Sequence, residues 1–262
     1  MELEKETLIT TYKATGRSLL NYACPIFTPG LSDTNWDSLQ TAQNNALRTA
    51  TGCVKMTEVG HLHHETKVMP VKEHSYMLSQ QHLLAMTHPS HPNSCNLNHR
   101  PPRQMRQTLT SKFGSKIRDL NLQNIEEDQA KSQLRYHQTE IHTRCVQETI
   151  EAFQANKVLQ TCPPPINQDE KNLPRPTRST LSQIRSGYSS YLNSYLHRIN
   201  PTKYQENCPK CNSSIHNSQH LFNCPANPTD LTVTSLWENP VEAATFLGLE
   251  TKNGPGDLDD ND

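Results

Sequence analysis

CPKCNSSIHNSQHLFNC, residues 208–224, gathers three of the eight cysteines and two of the thirteen histidines of a 262-residue chain. Cys208 and Cys211 form a C-x-x-C pair, whose turn can aim two thiolates at one ion. Eight residues separate Cys211 from His220, and three separate His220 from Cys224. A histidine and a cysteine four positions apart can meet the same ion from one face of a short helix. Three thiolates and one imidazole complete a tetrahedron, the ligand set of a structural zinc site. His216 is a spare imidazole, but its spacing to Cys224 is less compact. A C-x-x-C redox pair is the competing reading. Such a pair opens a helix after a strand in a thioredoxin-like unit, and no such unit is legible here. The spacing therefore predicts zinc held by Cys208, Cys211, His220 and Cys224. Closed by four ligands, the ion keeps no position for a reacting water, so its expected role is to staple a segment too small to hold a core alone.

The rest of the composition fits that picture. Hydrophobic residues make up 33%, well under the usual share, with 9 glycines and 18 prolines. This predicts modest helical units joined by proline-rich connectors. A formal net charge of −1 excludes a globally basic nucleic-acid binder but allows a local basic patch. No N-terminal apolar stretch has the length of a signal peptide or membrane span. An intracellular protein of nucleus or cytoplasm is expected, with no membrane contact. The remaining cysteines (Cys24, Cys53, Cys95, Cys145 and Cys162) are scattered and read as ordinary thiols.

Helical periodicity organises the chain into a mainly α protein. A first helix is predicted over 7–23, with Leu8, Tyr12, Leu19, Leu20 and Ala23 as its stripe. A second starts at the Ser32/Asp33 caps, buries Trp36, Leu39, Gln43, Ala46, Leu47 and Ala50, and stops at Gly52. A third follows Pro70 and ends before Pro89. These form a helical region over 1–88. A basic linker is predicted over 89–127, within a stretch from His74 to Arg118 that contains no Asp or Glu. A helix over 128–156 follows, with Leu134, Ile141, Cys145, Ile150 and Phe153 on one side. A proline-rich linker covers 157–178. Helices and the cysteine cluster occupy 179–249, and an acidic, disordered tail covers 250–262. The histidine-rich stretch GHLHHE lacks the second histidine of a zincin and is expected to be structural, in a turn. No phosphate-binding glycine loop, nucleophile elbow or dinucleotide fingerprint is present, and the only adjacent aspartates, Asp259 and Asp260, lie in the tail.

Three stretches carry a resemblance: YKATGRSLLNYACPIFTPGLSDTNWDSLQTAQNNALRTATGC (12–53), HLHHETKVMPVKEHSYMLSQQ (61–81), and 181–249, from LSQIRSGYSSYLNSYLHRI through the cysteine cluster to ATFLGL. In this order they resemble the C-terminal part of the reverse transcriptases of jockey-like non-LTR retrotransposons. The resemblance implies thumb-like helices that help hold a template–primer duplex. It also implies a zinc knuckle that contacts nucleic acid, with ligands at Cys208, Cys211, His220 and Cys224. The polymerase palm of that family has no counterpart in this sequence, so a non-enzymatic remnant is expected. The alternatives are the end of an intact RNA-directed DNA polymerase and a zinc-stabilised protein-interaction module. The expected partner is RNA or DNA, single-stranded or template–primer. Its candidate contacts are Arg185, Arg198 and Lys203, stacking faces on Tyr188, Tyr191 and Tyr195, and the basic residues Arg100, Arg103 and Arg106. The tyrosines also fit a core role at their helical spacing.

Overall fold

The computed structural model describes residues 4–87, 108–118, 120 and 130–249. It is mainly helical. The α-helices run Lys5–Tyr12 (α1), Ser18–Asn21 (α2), Cys24–Phe27 (α3), Asp33–Thr51 (α4), Val59–Thr66 (α5), Val71–Thr87 (α6), Leu109–Arg118 (α7), Ala130–Glu151 (α8), Arg175–Ser186 (α9), Asn193–Ile199 (α10), His220–Asn223 (α11), Ser235–Glu238 (α12) and Pro240–Phe246 (α13). Among the described residues there is no strand, only an isolated bridge between Asn207 and Ile215. No helix among them is long and apolar enough to cross a membrane.

The chain divides into two compact units, and neither is continuous in sequence. One comprises Met1–Thr10, Asn44–Val68 and Phe153–Asp262; the other comprises Thr11–Gln43 and Met69–Ala152. The division falls inside α4 and cuts across the helical region expected over 1–88. The second unit packs α6 against α7 and α8. Met77, Leu83, Leu84, Phe113, Ile117, Ile141 and Cys145 form its buried centre. Phe27, Trp36, Tyr76 and Phe113 continue it as a chain of rings with successive centroids 5.3–6.2 Å apart.

The second and third helices start and stop where their flanking residues place them, as α4 and α6, whereas α9 begins at Arg175, inside the stretch expected to be a linker over 157–178. Ser32 accepts a hydrogen bond from the Asn35 amide at 3.4 Å, and Gly52 ends α4 at φ +72°. A Cβ there would lie 2.5 Å from Ser179 Oγ, so the position needs glycine for its backbone angle and for its space.

Several expectations need correction. The first helix passes through a π-helical turn at Lys13–Arg17. The wider turn rotates later side chains off a 3.6-residue stripe. Ile9, Arg17 and Cys24 are buried, while Leu19 is 77% exposed and Ala23 is exposed. The basic linker contains α7, because Leu109, Phe113 and Ile117 repeat at one helical face and bury against α6. The helix after it stops at Glu151, leaving Ile150 41% exposed, and Phe153 stacks on His63 at 5.7 Å. GHLHHE lies in a helix, α5, and not in a turn: Leu62 is fully buried, with His61 and His63 buried beside it. The proline-rich linker over 157–178 contains a 3-10 turn, Gln168–Asn172, begun by Asn167 accepting from the Asp169 amide. It buries Glu170 and Leu173. Arg100, Arg103 and Arg106 lie outside the described residues, as does the acidic tail.

Candidate metal centre and adjoining cleft

The first unit centres on Leu181 and Ile184 of α9, Leu192, Leu221 and Phe222 of α11, Leu236 and Trp237 of α12, and Ala243 and Ala244 of α13. The cysteine cluster sits on its edge. Residues 206–216 form a short hairpin, pinned by the His216 amide donating to the Glu206 carbonyl at 3.0 Å and the Cys208 amide donating to the Ser214 carbonyl at 2.8 Å. At its tip, Asn212 takes the left-handed conformation at φ +56°, and its amide donates back to the Cys208 carbonyl at 2.9 Å. Asparagine tolerates that angle better than most residues. The turn folds Cys211 back towards Cys208. Opposite the hairpin, Asn217 Oδ1 accepts from the His220 amide at 2.9 Å and starts α11. That one-turn helix presents His220, and Cys224 follows at its end.

The ligand atoms of Cys208, Cys211, His220 and Cys224 all lie within 4.8 Å of one another, and the group could hold a metal ion. Cys208 Sγ and Cys224 Sγ are 3.8 Å apart, and Cys211 Sγ and His220 Nε2 are 3.3 Å apart. Cys208, Cys224 and His220 are buried and Cys211 is half-buried. The Ser213 hydroxyl donates to Cys211 Sγ at 3.2 Å. That bond, helped by the Ser213 amide, Cys208 and His220, pulls the Cys211 thiol down to about 6. Burial pushes the Cys224 thiol up. His216 takes a different part. Its Nδ1 accepts from the Asn193 amide at 3.1 Å, and its carbonyl accepts from the Ser194 amide at 3.2 Å. It thereby satisfies the first turn of α10 and stays outside the ligand cluster.

The candidate nucleic-acid contacts separate into two groups. Arg185 is fully buried and is withdrawn as a surface contact. Its Nε donates to the Leu236 carbonyl at 2.8 Å. Its terminal nitrogens pair with Glu65 at 3.2 Å and with Glu170. Lys5 reaches Glu65 at 3.0 Å and Glu170 at 3.7 Å. The buried Arg178 guanidinium pairs with Glu4 and Glu6. Burial alone would raise the Glu65 carboxyl, but Lys5, Arg185 and His61 hold it well below the usual carboxylate range. His61 sits inside the same network. Its Nε2 donates to the Ser182 carbonyl at 3.0 Å, and its Nδ1 accepts from Asn156 at 3.4 Å. Burial lowers its pKa to about 4. These groups tie α5, α9 and α12 together. Tyr191 is also committed internally, through its hydroxyl to the Leu247 carbonyl at 2.8 Å.

Of the second group, Arg198 and Tyr195 line an open cleft of about 600 Å³, and Tyr188 and Lys203 are not part of its lining. Arg198 and Lys203 are exposed. Arg198 lies 5.7 Å and Lys157 4.0 Å from the centroid of the Tyr188 ring. Tyr188 is buried and meets Tyr195 edge-on at 6.1 Å. The cleft wall includes Lys157, Arg198, Tyr195 and His197, and also Glu206 and Ile215 of the cysteine-bearing hairpin. Lys157 was hidden from sequence reading inside the supposed linker. Its cation–π partner lies 31 positions away and leaves no local signature. No family model, curated protein or solved structure matches this chain.

Proposed function

We propose that the chain binds single-stranded nucleic acid through a zinc-organised module, after the manner of the C-terminal region of jockey-like reverse transcriptases. The observation that carries the reading is the clustering of Cys208, Cys211, His220 and Cys224, the four positions that the resemblance assigns as ligands. A tetrahedral zinc, with Zn–S of ~2.3 Å and Zn–N of ~2.0 Å, sets S···S edges of roughly 3.8 Å and S···N edges of roughly 3.5 Å. The Cys208–Cys224 and Cys211–His220 separations of 3.8 and 3.3 Å match those edges closely. The donor set of three thiolates and one imidazole suits zinc over calcium or magnesium, which prefer oxygen. Four protein ligands give the ion a structural part: it would hold the hairpin against α11. Phosphate attraction then falls to exposed cations, with Arg198 and Lys203 as the described candidates. The role proposed is binding, without polymerase chemistry.

Two measurements test this. Zinc content of the purified chain should be one ion per molecule, and none in the Cys208→Ser/Cys224→Ser variant. The zinc-loaded chain should bind a fluorescent single-stranded oligonucleotide with affinity that falls steeply as salt rises. A folded wild type without zinc sinks the metal assignment. An absence of oligonucleotide binding at low salt sinks the nucleic-acid assignment.

A further inference from the structure

The cleft beside the cysteine-bearing hairpin is more specific than a basic surface. Lys157 and Arg198 both rest against Tyr188, and their two ring distances, 4.0 and 5.7 Å, bound the separation of ammonium and guanidinium at under about 10 Å. Exposed lysine and arginine side chains normally roam among many rotamers. Here one buried aromatic ring restrains both, so their charges are already gathered at the cleft wall. His197 adds an imidazole fixed through its Nδ1–H to the Tyr204 carbonyl at 2.7 Å. Tyr195 adds an aromatic wall. Glu206 is the only carboxylate in the lining. Two gathered cations, an aromatic wall and a volume of about 600 Å³ suit a small anionic aromatic ligand.

We propose that this cleft seats one nucleotide of a single strand, its phosphate held by Lys157 and Arg198 and its base against Tyr195. The inference rests on the nucleic-acid-binding reading for the source of the phosphate; the cleft itself does not depend on that source. Because Glu206 and Ile215 belong to the hairpin that carries Cys208 and Cys211, one wall is positioned by the metal centre. Zinc and nucleotide binding are therefore coupled through the hairpin.

The full zinc-loaded chain is titrated against a labelled single-stranded octanucleotide, and separately against a 5′-mononucleotide and inorganic phosphate, with amide shifts recorded by NMR. Lys157→Ala/Arg198→Ala should weaken octanucleotide binding at least tenfold at low salt and lower the salt slope by roughly 0.7–1.4. Glu206→Gln should strengthen binding about two- to threefold, because it removes the one negative charge facing the phosphate. Shifts of the Gly187, Tyr195 and Ile215 amides locate the ligand in the cleft. An octanucleotide that binds equally well to the double variant overturns the cleft and leaves the nucleic-acid reading standing. Mononucleotide or phosphate shifts in the cleft without octanucleotide binding overturn the strand as the source and retain the phosphate site. No cleft shift with any of the three ligands overturns the proposal outright.

Discussion

Arg185→Met should unfold or severely loosen the first unit while leaving the second intact. The side chain is fully buried and meets three partners at once: the Leu236 carbonyl and the carboxylates of Glu65 and Glu170. Methionine keeps much of the volume and removes the charge. Glu65 then retains Lys5 at 3.0 Å, whereas Glu170 is left with Lys5 at 3.7 Å and Arg178 at 3.9 Å. Removing one partner of a buried ion pair costs about 3–5 kcal/mol, because the remaining charge is desolvated without compensation. A loss of about 4 kcal/mol at a typical slope of about 2 kcal/mol per molar urea moves the midpoint by about 2 M. Trp237 belongs to the first unit and Trp36 to the second, so a Trp36→Phe background makes fluorescence report the first unit alone. The destabilisation should shrink as pH falls from 7 to 5. Without Arg185, burial still raises the Glu65 carboxyl and only Lys5 and His61 oppose it, so protonation relieves that charge. Adding Glu65→Gln and Glu170→Gln should recover half or more of the loss. A midpoint shift below about 0.5 M, together with weakened oligonucleotide binding, would refute the internal assignment and return Arg185 to the surface.

Gly52→Ala should cost about 2–4 kcal/mol, since the left-handed angle penalises any Cβ by about 1–2 kcal/mol and the Ser179 clash adds strain; Gly52→Ala/Ser179→Gly should recover the packing part in the same urea titration. Acid should destabilise the first unit through His61, whose folded pKa of about 4 lies below the ordinary 6.5. The unfolded chain takes up the proton first, so stability is full above pH 6.5 and falls by about 3 kcal/mol as pH drops towards 4. His74 of the second unit, lowered to about 3 by burial and the nearby Arg17 and His142, should act in the same direction there; midpoints independent of pH between 7 and 4 contradict both. An excised 179–249 segment should give the poorly dispersed NMR spectrum of an unfolded or molten chain, because it lacks Glu65, Glu170, Lys5 and α5; a dispersed spectrum would show that those partners are dispensable.

Much of the helical content was legible because caps and apolar spacing are local signals. Ser32, Gly52 and Pro70 mark real ends, and the face predicted for α4 is the buried one. The clustering of the four candidate ligands was legible for the same reason: all four lie within 17 residues, and two short turns suffice to bring them together. The failures share the opposite property. Arg185 reads as a basic residue on a short helix, yet its partners are Glu65, 120 positions away, and Glu170, 15 positions away. Leu19 fails because the π-helical turn at Lys13–Arg17 changes the period on which the stripe was counted. The linker over 157–178 fails because prolines report stiffness and broken hydrogen bonding, not exposure. Leu173 and Glu170 bury despite them.

The first unit has two devices of different reach, an apolar core and a buried ion network, with the candidate metal cluster as a third, and this explains how a chain with so few hydrophobic residues closes a core there. The buried members of the apolar cluster all come from sequence after Glu170, with Leu159 and Ile166 packed against them. By itself the cluster would be a small, late segment with an open side. The cysteine and histidine ligands cross-link only 208–224, so a metal there removes entropy from a short loop and orders the hairpin. It does nothing to recruit the N-terminal stretches. The ion network supplies that longer reach. Arg185 on α9 requires Glu65 on α5, Glu65 requires Lys5 on α1, and Arg178 engages Glu4 and Glu6. A buried cation accepts few substitutes, whereas an apolar surface accepts many, so the network selects which distant segment completes the unit. Metal loss and loss of Arg185 should therefore look different: the first should disorder the hairpin and its cleft wall locally, and the second should release α1 and α5 from the unit. Hydrogen exchange on the zinc-free chain and on the Arg185→Met chain separates the two, since protection at Leu62 reports the network and protection at Cys208 and Asn212 reports the metal.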